Sequence, residues 1–543
     1  MVWRSPSPPS LPSLIALLLL LATSGSGRGQ ESSDVELPAS FEAPMPLFTK
    51  GLGTFTRTVT TDSPEAQAFF NQGIQLMYSF ATEDAARSFR EAQLRDPECA
   101  MCFWGEAWAW GPYLNGPMGP GALPRAQAAM RKALELAPGH ADEVERDLIE
   151  TMAIRYIDRT DRTPQIRVDT TYAEALATVY RDHPDDLDVG FLYAEGLMLL
   201  EPRRESWNLE RAEVQRIHGI LEEVLARDLT HPGACHLYVH ATESTVRPDK
   251  AEACADHLGS SIPGASHINH MPSHTYNRVG RWEEAVRSNL QAFHSDQAAS
   301  YGEGFAIYPS HNLHMLLFAA SMGGQGALAI QAGKDYAKAT GGATYYEVLT
   351  KLRFGRFDEI LETENNSDNP IFRGLEDFGR GYAHLRMGHV DIARGFLDLV
   401  RSGATETDEE VQFRGHTAAD LLGVVGGILE GEIVRGEGDL EAAVAAFEKA
   451  VEIEDGLRYD EPEPLNFSAR HWLGAALLEA GRPAEAEAVY RAELADHPHN
   501  GWSLLGLEQA LHAQSRTADA DETRRAFEQA WALADVWIRA SRF

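Results

Sequence analysis

The sequence has few basic residues, and it lacks the short motifs of the common hydrolases and nucleotide-binding enzymes. Lysine and arginine together number 48 against 81 aspartates and glutamates, so the formal net charge is −33 at pH 7. Such a chain repels phosphate backbones and anionic membrane surfaces, so we expect no nucleic-acid partner. The sequence also contains no Gly-rich phosphate loop, no GxSxG and no HExxH. It therefore gives no support for a P-loop nucleotide-binding protein, an α/β-hydrolase or an HExxH metalloprotease.

Cysteine is scarce, with four residues in the chain: Cys99, Cys102, Cys235 and Cys254. Four cysteines are too few for a disulfide framework in a chain of this length. Cys99 and Cys102 form a CxxC motif, for which a disulfide and half of a metal site both stay open. Phe103 stands where a c-type haem site needs a histidine. Cys235 and Cys254 could bridge two neighbouring helices.

Long apolar runs are confined to the N-terminus. Arg4, the apolar run Leu14 to Ala22 and the small residues after it are typical of a secretory signal peptide, which we predict over residues 1–26. The run is too short to span a bilayer, and no later segment of transmembrane length is free of charges. We therefore expect an exported protein, periplasmic or secreted, without a membrane span.

Helical periodicity dominates the chain after a polar, irregular arm predicted over residues 27–62. Asn71 to Phe80 and Ala85 to Leu94 place apolar residues at i, i+3, i+4 and i+7, which indicates paired amphipathic helices. Glycine-led turns recur at intervals of 33, 50 and 43 residues, at Gly355, Gly388, Gly438 and Gly481. A tetratricopeptide unit has roughly 34 residues.

We therefore predict an all-α, tetratricopeptide-like solenoid of helix–turn–helix repeats. Its parts are N-terminal repeats over residues 63–230, which contain the CxxC, central histidine-rich repeats over 231–340 and C-terminal repeats over 341–543. Each repeat in such a superhelix packs mainly on its neighbours.

Ten of the 20 histidines lie between His231 and His314. Their spacing predicts three helical stripes, because residues three or four apart share a helix face. Glu243 extends the first stripe and Tyr308 begins the third. Eight of these histidines are candidate metal ligands: His231, His236, His240, His267, His270, His274, His311 and His314.

The three stripes can converge, because the first helices of successive repeats line the concave groove of a solenoid. Clustered imidazoles cannot all be protonated, and a buried imidazole without a partner is costly. A bound metal removes both problems, and histidine is the commonest metal ligand. Eight imidazoles exceed the about three protein ligands of a catalytic zinc, so two or more ions fit better.

Copper is the metal that we favour, with zinc or iron as alternatives. His-x3-His pairs on antiparallel helices are also the arrangement of coupled binuclear copper proteins. Iron normally takes a carboxylate, which Glu243 or Glu195 could supply. Glu243, Glu195 and Tyr308 are our candidate catalytic residues.

Several long motifs resemble a widespread family of bacterial exported tetratricopeptide proteins. The motifs are CxMCxWG, HPGAxHxYxHAxE, HxxHMPxH and HNxH, at Cys99–Gly105, His231–Glu243, His267–His274 and His311–His314. The resemblance covers most of the chain from Gln67 to Asp535. It implies that these histidines form one site, and it supplies no reaction.

The chain departs from that family in three places. Tyr113 and Cys235 each stand where the family favours asparagine, and Asp460–Asn466 is less aromatic than expected. The first and third departures bear on the ligand pocket.

These observations favour an exported metalloenzyme, most specifically a copper-dependent oxidase or oxygenase, with a zinc hydrolase as the weaker variant. Its substrate would be a small molecule or peptide in the concave groove. Two alternatives stay open: a non-catalytic scaffold that binds peptides or proteins, and a protein that stores or senses metal. The oligomeric state is not determined by the sequence.

Overall fold

The computed structural model describes residues 37–160, 162–202, 205–364 and 367–543. The predicted signal peptide and the first ten residues of the predicted arm lie outside the described residues. The N-terminal repeats contain eight helices: α1 (Pro64–Tyr78), α2 (Thr82–Arg95), α3 (Ala100–Ala109), α4 (Ala122–His140), α5 (Glu143–Ala153), α6 (Gln165–Asp182), α7 (Leu187–Met198) and α8 (Ala212–Arg227).

The central repeats contain seven α-helices. They are α9 (Pro232–Glu243), α10 (Glu252–Leu258), α11 (Ser266–His270), α12 (Pro272–Val279), α13 (Trp282–Ala299), α14 (Pro309–Met322) and α15 (Gly326–Ala339). Four of them, α9, α11, α12 and α14, carry the histidine stripes.

The C-terminal repeats add ten helices and one short hairpin. They are α16 (Tyr345–Arg353), α17 (Phe357–Glu362), α18 (Pro370–Arg386), α19 (Val390–Glu406), β1 (Gln412–Phe413), β2 (His416–Thr417), α20 (Ala418–Gly436), α21 (Leu440–Asp455), α22 (Arg470–Glu479), α23 (Pro483–Asp496), α24 (Gly501–Ala513) and α25 (Thr517–Ala530). The two strands pair antiparallel, with Phe413 opposite His416.

The helices pack as successive antiparallel pairs, which confirms the predicted tetratricopeptide-like solenoid. First helices of neighbouring repeats also contact one another, as α1 contacts α3, α9 contacts α12, and α11 contacts α14. Small residues permit this close approach: a Cβ on Gly73 would lie 2.6 Å from the ring of Phe89 on the paired helix. None of the helices in the described residues is long and apolar enough to cross a bilayer.

The proline in the second histidine stripe starts a new helix without turning the chain away. Met271, which joins α11 to α12, keeps right-handed helical angles of φ −51° and ψ −38°, and Pro272 occupies the first turn of α12. A first-turn proline costs no hydrogen bond, because its missing N–H would have no partner within the helix. His267, His270 and His274 therefore stay on nearly one face across the junction.

Residues 38–62 of the N-terminal arm lie against α1 as irregular chain apart from one 3-10 turn (Ala39–Glu42). Two glutamines of α1 accept its backbone N–H groups: Gln72 Oε1 from Phe48 at 2.9 Å and Gln75 Oε1 from Gly53 at 2.7 Å. These side chains satisfy backbone donors that would otherwise be buried without a partner.

The C-terminal repeats pack back onto the central ones. The indole of Trp282 donates to the carbonyl of Pro498 at 3.0 Å, and the indole of Trp502 donates to the carbonyl of Ser321 at 3.0 Å. Residues 456–469, between α21 and α22, are irregular chain that reaches the histidine stripes. The sequence predicted that the histidines line the concave groove, and in the structure this segment of the same chain contacts them there.

The packing of the C-terminal repeats on the central repeats can be tested at two turn glycines. Gly280 and Gly481 both have positive φ, at +76° and +73°, but a Cβ on Gly280 would lie 2.1 Å from the carbonyl oxygen of Pro498, while a Cβ on Gly481 would meet nothing within 4 Å. Both alanine variants bear the left-handed backbone strain, roughly 1 kcal/mol. Gly280→Ala adds an overpacking cost of about 1–3 kcal/mol.

We expect Gly280→Ala to lower the thermal midpoint clearly more than Gly481→Ala, measured by circular dichroism on the full chain. Equal midpoints in the two variants would contradict the packing of α12 against the C-terminal repeats.

Candidate metal centre

The first group of imidazoles comes from α9 and α11. His236, His240 and His267 are 1–3% exposed, and one ring nitrogen of each lies within 4.8 Å of the other two. The Nε2 atoms of His236 and His267 are 3.1 Å apart. His236 Nδ1–H donates to the backbone carbonyl of Tyr78 at 2.6 Å, which turns its Nε2 toward the other two rings. We call His236, His240 and His267 the first triad.

The second group comes from α11, α12 and α14. His270, His274 and His311 also place one nitrogen each within 4.8 Å of the others. The Nε2 atoms of His270 and His274 are 3.2 Å apart. The ring of His311 packs edge-on against His270 with centroids 4.8 Å apart. We call His270, His274 and His311 the second triad.

In each triad, the separation of one pair of ring nitrogens fits a coordinated metal ion. Zinc and similar ions bind imidazole nitrogen at about 2.0–2.1 Å, so two ligands at square-planar to tetrahedral angles lie about 2.9–3.3 Å apart. The two Nε2 pairs, at 3.1 and 3.2 Å, fall inside this range. The donor set is three imidazoles in each triad, which suits copper, zinc, iron or nickel.

Glu243 connects the two triads. Its Oε1 accepts from Nδ1 of His240 at 2.7 Å, and its Oε2 accepts from Nδ1 of His274 at 2.5 Å. The phenol of Tyr459 donates to the same Oε2 at 3.0 Å. A carboxylate that accepts the Nδ1–H of a histidine fixes the tautomer with Nε2 available for coordination. Glu243 thus orients one imidazole of each triad.

A mixed set of ligands uses the opposite side of the same two rings. His240, Glu243, His274 and Glu461 also offer ligand atoms within 4.8 Å of one another. An Nδ1 that coordinates a metal cannot also donate its proton to Glu243. The mixed set and the two triads are therefore alternative uses of His240 and His274, and the hydrogen bonds to Glu243 favour the triads.

The charge state of the metal-free cluster follows from burial and the nearby carboxylates. Burial and repulsion between imidazoles hold the pKa values of His267, His270 and His311 well below the usual value. Burial also lowers the pKa of His274, but Glu243 and Glu461 outweigh this effect and raise it to about 9. A protonated His274 can donate through Nδ1 to Glu243 and through Nε2 to His270.

Two aromatic residues with strained backbones border the first triad. Phe80 and Tyr308 have positive φ, at 60° and 56°, which is a rare conformation for bulky residues. The ring of Phe80 packs on His236 with centroids 4.3 Å apart, and Tyr308 packs edge-on against His267 at 5.1 Å. The hydroxyls of Tyr308 and Tyr113 are 2.7 Å apart. Backbone strain of this kind clusters at functional sites.

The structure places two predicted ligands outside both triads. His231 precedes α9, where its Nδ1 accepts the N–H of Ala234 at 3.1 Å, and its Nε2 lies 3.3 Å from Asp188 Oδ1. His314 shares a 2.6 Å hydrogen bond between its Nε2 and the hydroxyl of Tyr346. Each ring is thus engaged away from the triads, His231 in helix capping and His314 in packing against α16.

The structure also separates Glu195 from the other candidate catalytic residues. Glu195 on α7 accepts from the indole of Trp108 at 3.2 Å, and burial raises its pKa to about 7 although Arg155 opposes this shift. Glu243 lies between the triads and Tyr308 lies beside the first one. Glu243 hydrogen-bonds two of the imidazoles directly.

All four cysteines form disulfides. Cys99 is bonded to Cys102 at the start of α3, and Cys235 on α9 is bonded to Cys254 on α10. The bond between Cys99 and Cys102 leaves no thiolate for the metal site that the CxxC motif had left open. The second disulfide ties the helix that carries His236 and His240 to its paired helix.

Sequence reasoning missed Tyr459 and Glu461, which reach the cluster from the segment before α22. Glu461 Oε2 lies 3.2 Å from Nδ1 of His274. The only indication in the sequence was that Asp460–Asn466 differs from the family that the sequence resembles. This difference pointed to the segment but indicated no role for its residues. Tyr459 also lines a pocket of about 320 Å³, together with Ser244 and Arg278.

Comparison with known proteins identifies one repeat. Residues 430–456, at the end of α20 and in α21, match the tetratricopeptide repeat family. No curated protein matches the chain. The match agrees with the repeat architecture and says nothing about the histidines.

Solved structures show only remote similarity. The APC/C hetero-tetramer Cut9–Hcn1 is 12% identical over 89% of this chain and 79% of that chain, with a TM-score of 0.30. The human IFIT1 dimer with m7Gppp-AAAA is 12% identical over 88% and 92%, with a TM-score of 0.29. The TPR domain of P58(IPK) is 11% identical over 83% and 99%, with a TM-score of 0.22. Scores this low carry no argument about the site.

The charge state of the metal-free cluster can be measured. We expect His274 to stay protonated up to a pH of about 9 while His270 is neutral at pH 7, because the carboxylates of Glu243 and Glu461 face His274. Nitrogen NMR of histidine-labelled, metal-free protein reports both protonation states.

Glu243→Gln should lower the pKa of His274, because an amide cannot supply the negative charge that stabilises the imidazolium. The same change at the exposed Glu283 is the control and should leave the titration unchanged. A His274 ring that is neutral at pH 7 in the wild type would contradict the assignment.

Proposed function

We propose that this helical-repeat protein binds two metal ions, one in each histidine triad, and acts as a copper-dependent oxidoreductase. The observation that carries the proposal is the pair of short Nε2 separations, 3.1 Å in the first triad and 3.2 Å in the second, inside a buried cluster. Two facing Nε2 atoms at this distance can share one proton in an N–H···N hydrogen bond, and a bound metal ion can take its place by accepting both nitrogen lone pairs.

Copper suits the donors better than the alternatives. Each triad supplies nitrogen ligands without thiolate, and imidazole is a good ligand for copper. A non-haem iron site normally includes one carboxylate among its ligands, whereas Glu243 is occupied by hydrogen bonds to two imidazole N–H groups. Zinc with a bound water in each triad is the second choice. When bound, copper would supply one-electron chemistry with dioxygen.

The residues around the triads favour a small substrate. The five imidazoles of α9, α11 and α12 are at most 3% exposed, and the segment before α22 covers the cluster. A folded protein or an extended peptide therefore cannot reach the triads without displacing that segment. Phe80 and Tyr308 give the first triad an apolar wall that excludes water from the reacting atoms.

A scaffold that binds peptides or proteins is the second candidate. The match of residues 430–456 to the tetratricopeptide repeat family favours it, because such repeats commonly present a binding groove. In that case the histidines only pack together, and the purified protein holds no tightly bound metal. A metal store is the third candidate, and it binds ions without turnover.

Metal content tests the proposal directly. We expect about two copper ions per chain after loading and desalting, since each triad provides a complete set of imidazoles. His267→Ala should remove the ion of the first triad, and His311→Ala should remove the ion of the second. Elemental analysis and electron paramagnetic resonance count the ions.

Two histidines outside the triads serve as controls. His257→Ala and His512→Ala each change an exposed ring, and both variants should keep both ions. Circular dichroism verifies that each variant is folded. If the wild-type protein retains no copper, the metal-centre hypothesis is wrong and the scaffold hypothesis is favoured.

Catalysis is tested by oxygen uptake. We expect the copper-loaded protein to consume dioxygen with a small phenol as the reductant, because the substrate must reach a buried centre. His267→Ala and His311→Ala should each reduce the rate at least about tenfold, since each loses one ion. Full copper content without dioxygen uptake would instead support storage.

A further inference from the structure

A part of the chain more than 180 residues away contributes one hydrogen bond and one ion pair to the metal centre. Tyr459 lies 216 residues after Glu243, and its phenol donates to Glu243 Oε2 at 3.0 Å. Two residues later, Glu461 Oε2 lies 3.2 Å from Nδ1 of His274. Both contacts reach the back of the imidazoles, where the Nδ1 atoms lie, and not the Nε2 atoms that face each other in the triads.

The backbone between these two side chains is fixed by an arginine of the β-hairpin. Arg414, between β1 and β2, donates to Asp460 Oδ1 at 2.7 Å and to the carbonyl of Glu461 at 2.6 Å. Burial opposes the charge of Arg414, but Asp460 outweighs that effect and raises the pKa of the guanidinium. The ion pair therefore stays charged and holds Tyr459 and Glu461 on either side of Asp460.

A second anchor holds the segment on its C-terminal side. The hydroxyl of Tyr346 donates to the carbonyl of Pro464 at 3.1 Å, and the same hydroxyl bonds to His314. His314, a ligand predicted from the sequence, thus helps to support the covering segment. With both anchors in place, Tyr459 and Glu461 have little freedom to move away from the imidazoles.

Groups behind the ligands affect how tightly a metal is held. A carboxylate that accepts the Nδ1–H of a histidine orients the ring and raises its basicity, and losing such a partner typically costs about 10–100-fold in metal affinity. Tyr459 acts on Glu243, which orients His240 and His274, one imidazole of each triad. Glu461 acts on His274 alone.

We propose that Tyr459 and Glu461 are positioning residues of the metal centre, through which the C-terminal repeats set its affinity for metal. This inference rests on the proposed function. The two residues differ in which sites they affect. Tyr459 influences the metal affinity of both triads through the shared carboxylate of Glu243, whereas Glu461 influences the affinity of the second triad alone. The segment that carries them is part of the site and not only a cover.

Copper(II) competition with a chelator tests the inference on the full-length protein. Tyr459→Phe should weaken both sites by roughly tenfold, because Glu243 loses a donor that holds its orientation. Glu461→Gln should weaken one site by a similar factor and leave the other unchanged. Tyr180→Phe is the matched control, since Tyr180 also donates to a glutamate, Glu223, at a different surface, and it should change neither affinity.

A double-variant comparison separates positioning from general destabilisation. If Tyr459 acts through Glu243, adding Tyr459→Phe to Glu243→Gln should cause no further loss of affinity. Electron paramagnetic resonance of the copper(II)-loaded Tyr459→Phe protein should show a changed copper signal, which a purely structural role would not produce.

The outcomes distinguish this inference from the proposed function. Wild-type protein that binds no copper overturns the proposed function and the inference together. Wild-type protein that binds two ions, with unchanged affinities and signals in Tyr459→Phe and Glu461→Gln, overturns only the inference. Additive losses in the double variant also overturn it.

Discussion

The buried carboxylate of Glu243 is the interaction on which the histidine cluster depends. It is fully buried, and it accepts hydrogen bonds from His240 on α9, His274 on α12 and Tyr459 in the segment before α22. A buried carboxylate without such donors is very costly, so its burial requires all three elements to be in place. The same carboxylate explains why the cluster can hold one protonated imidazole among several neutral ones.

Two ion pairs stabilise the surroundings of the cluster, one with the N-terminal arm and one with the β-hairpin of the C-terminal repeats. In the N-terminal arm, Arg57 donates to Asp188 at 2.7 Å. Burial raises the pKa of Asp188, but Arg57 and His231 outweigh it and hold the pKa below the usual value. Asp188 accepts from the hydroxyl of Tyr78, whose carbonyl in turn accepts from His236 of the first triad. Arg414 and Asp460 support the second triad in the corresponding way. Although the protein is strongly acidic, two of its arginines, Arg57 and Arg414, form ion pairs that stabilise the surroundings of the site.

The sequence predicted the helical stripes of the candidate site, but it did not predict how their histidines divide into two triads. Residues four apart, such as His236 and His240, share a helix face whatever the tertiary structure. That rule gives the face of a helix and not the distance to a neighbouring helix. His314 satisfies the same spacing, yet its ring turns to Tyr346. The division into two triads depends on how α9, α11, α12 and α14 pack, which no spacing along one helix encodes.

The sequence by itself determined the all-α repeat architecture, because the period of apolar residues and the recurring turn glycines act within single helix pairs. It also determined which residue types could coordinate a metal. Only the tertiary structure decided that Glu243 joins two sets of imidazoles and that Tyr459 and Glu461 complete their surroundings. The physical reason is separation: contacts between residues about 200 positions apart depend on the accumulated superhelical turn of all the intervening repeats, to which every repeat contributes.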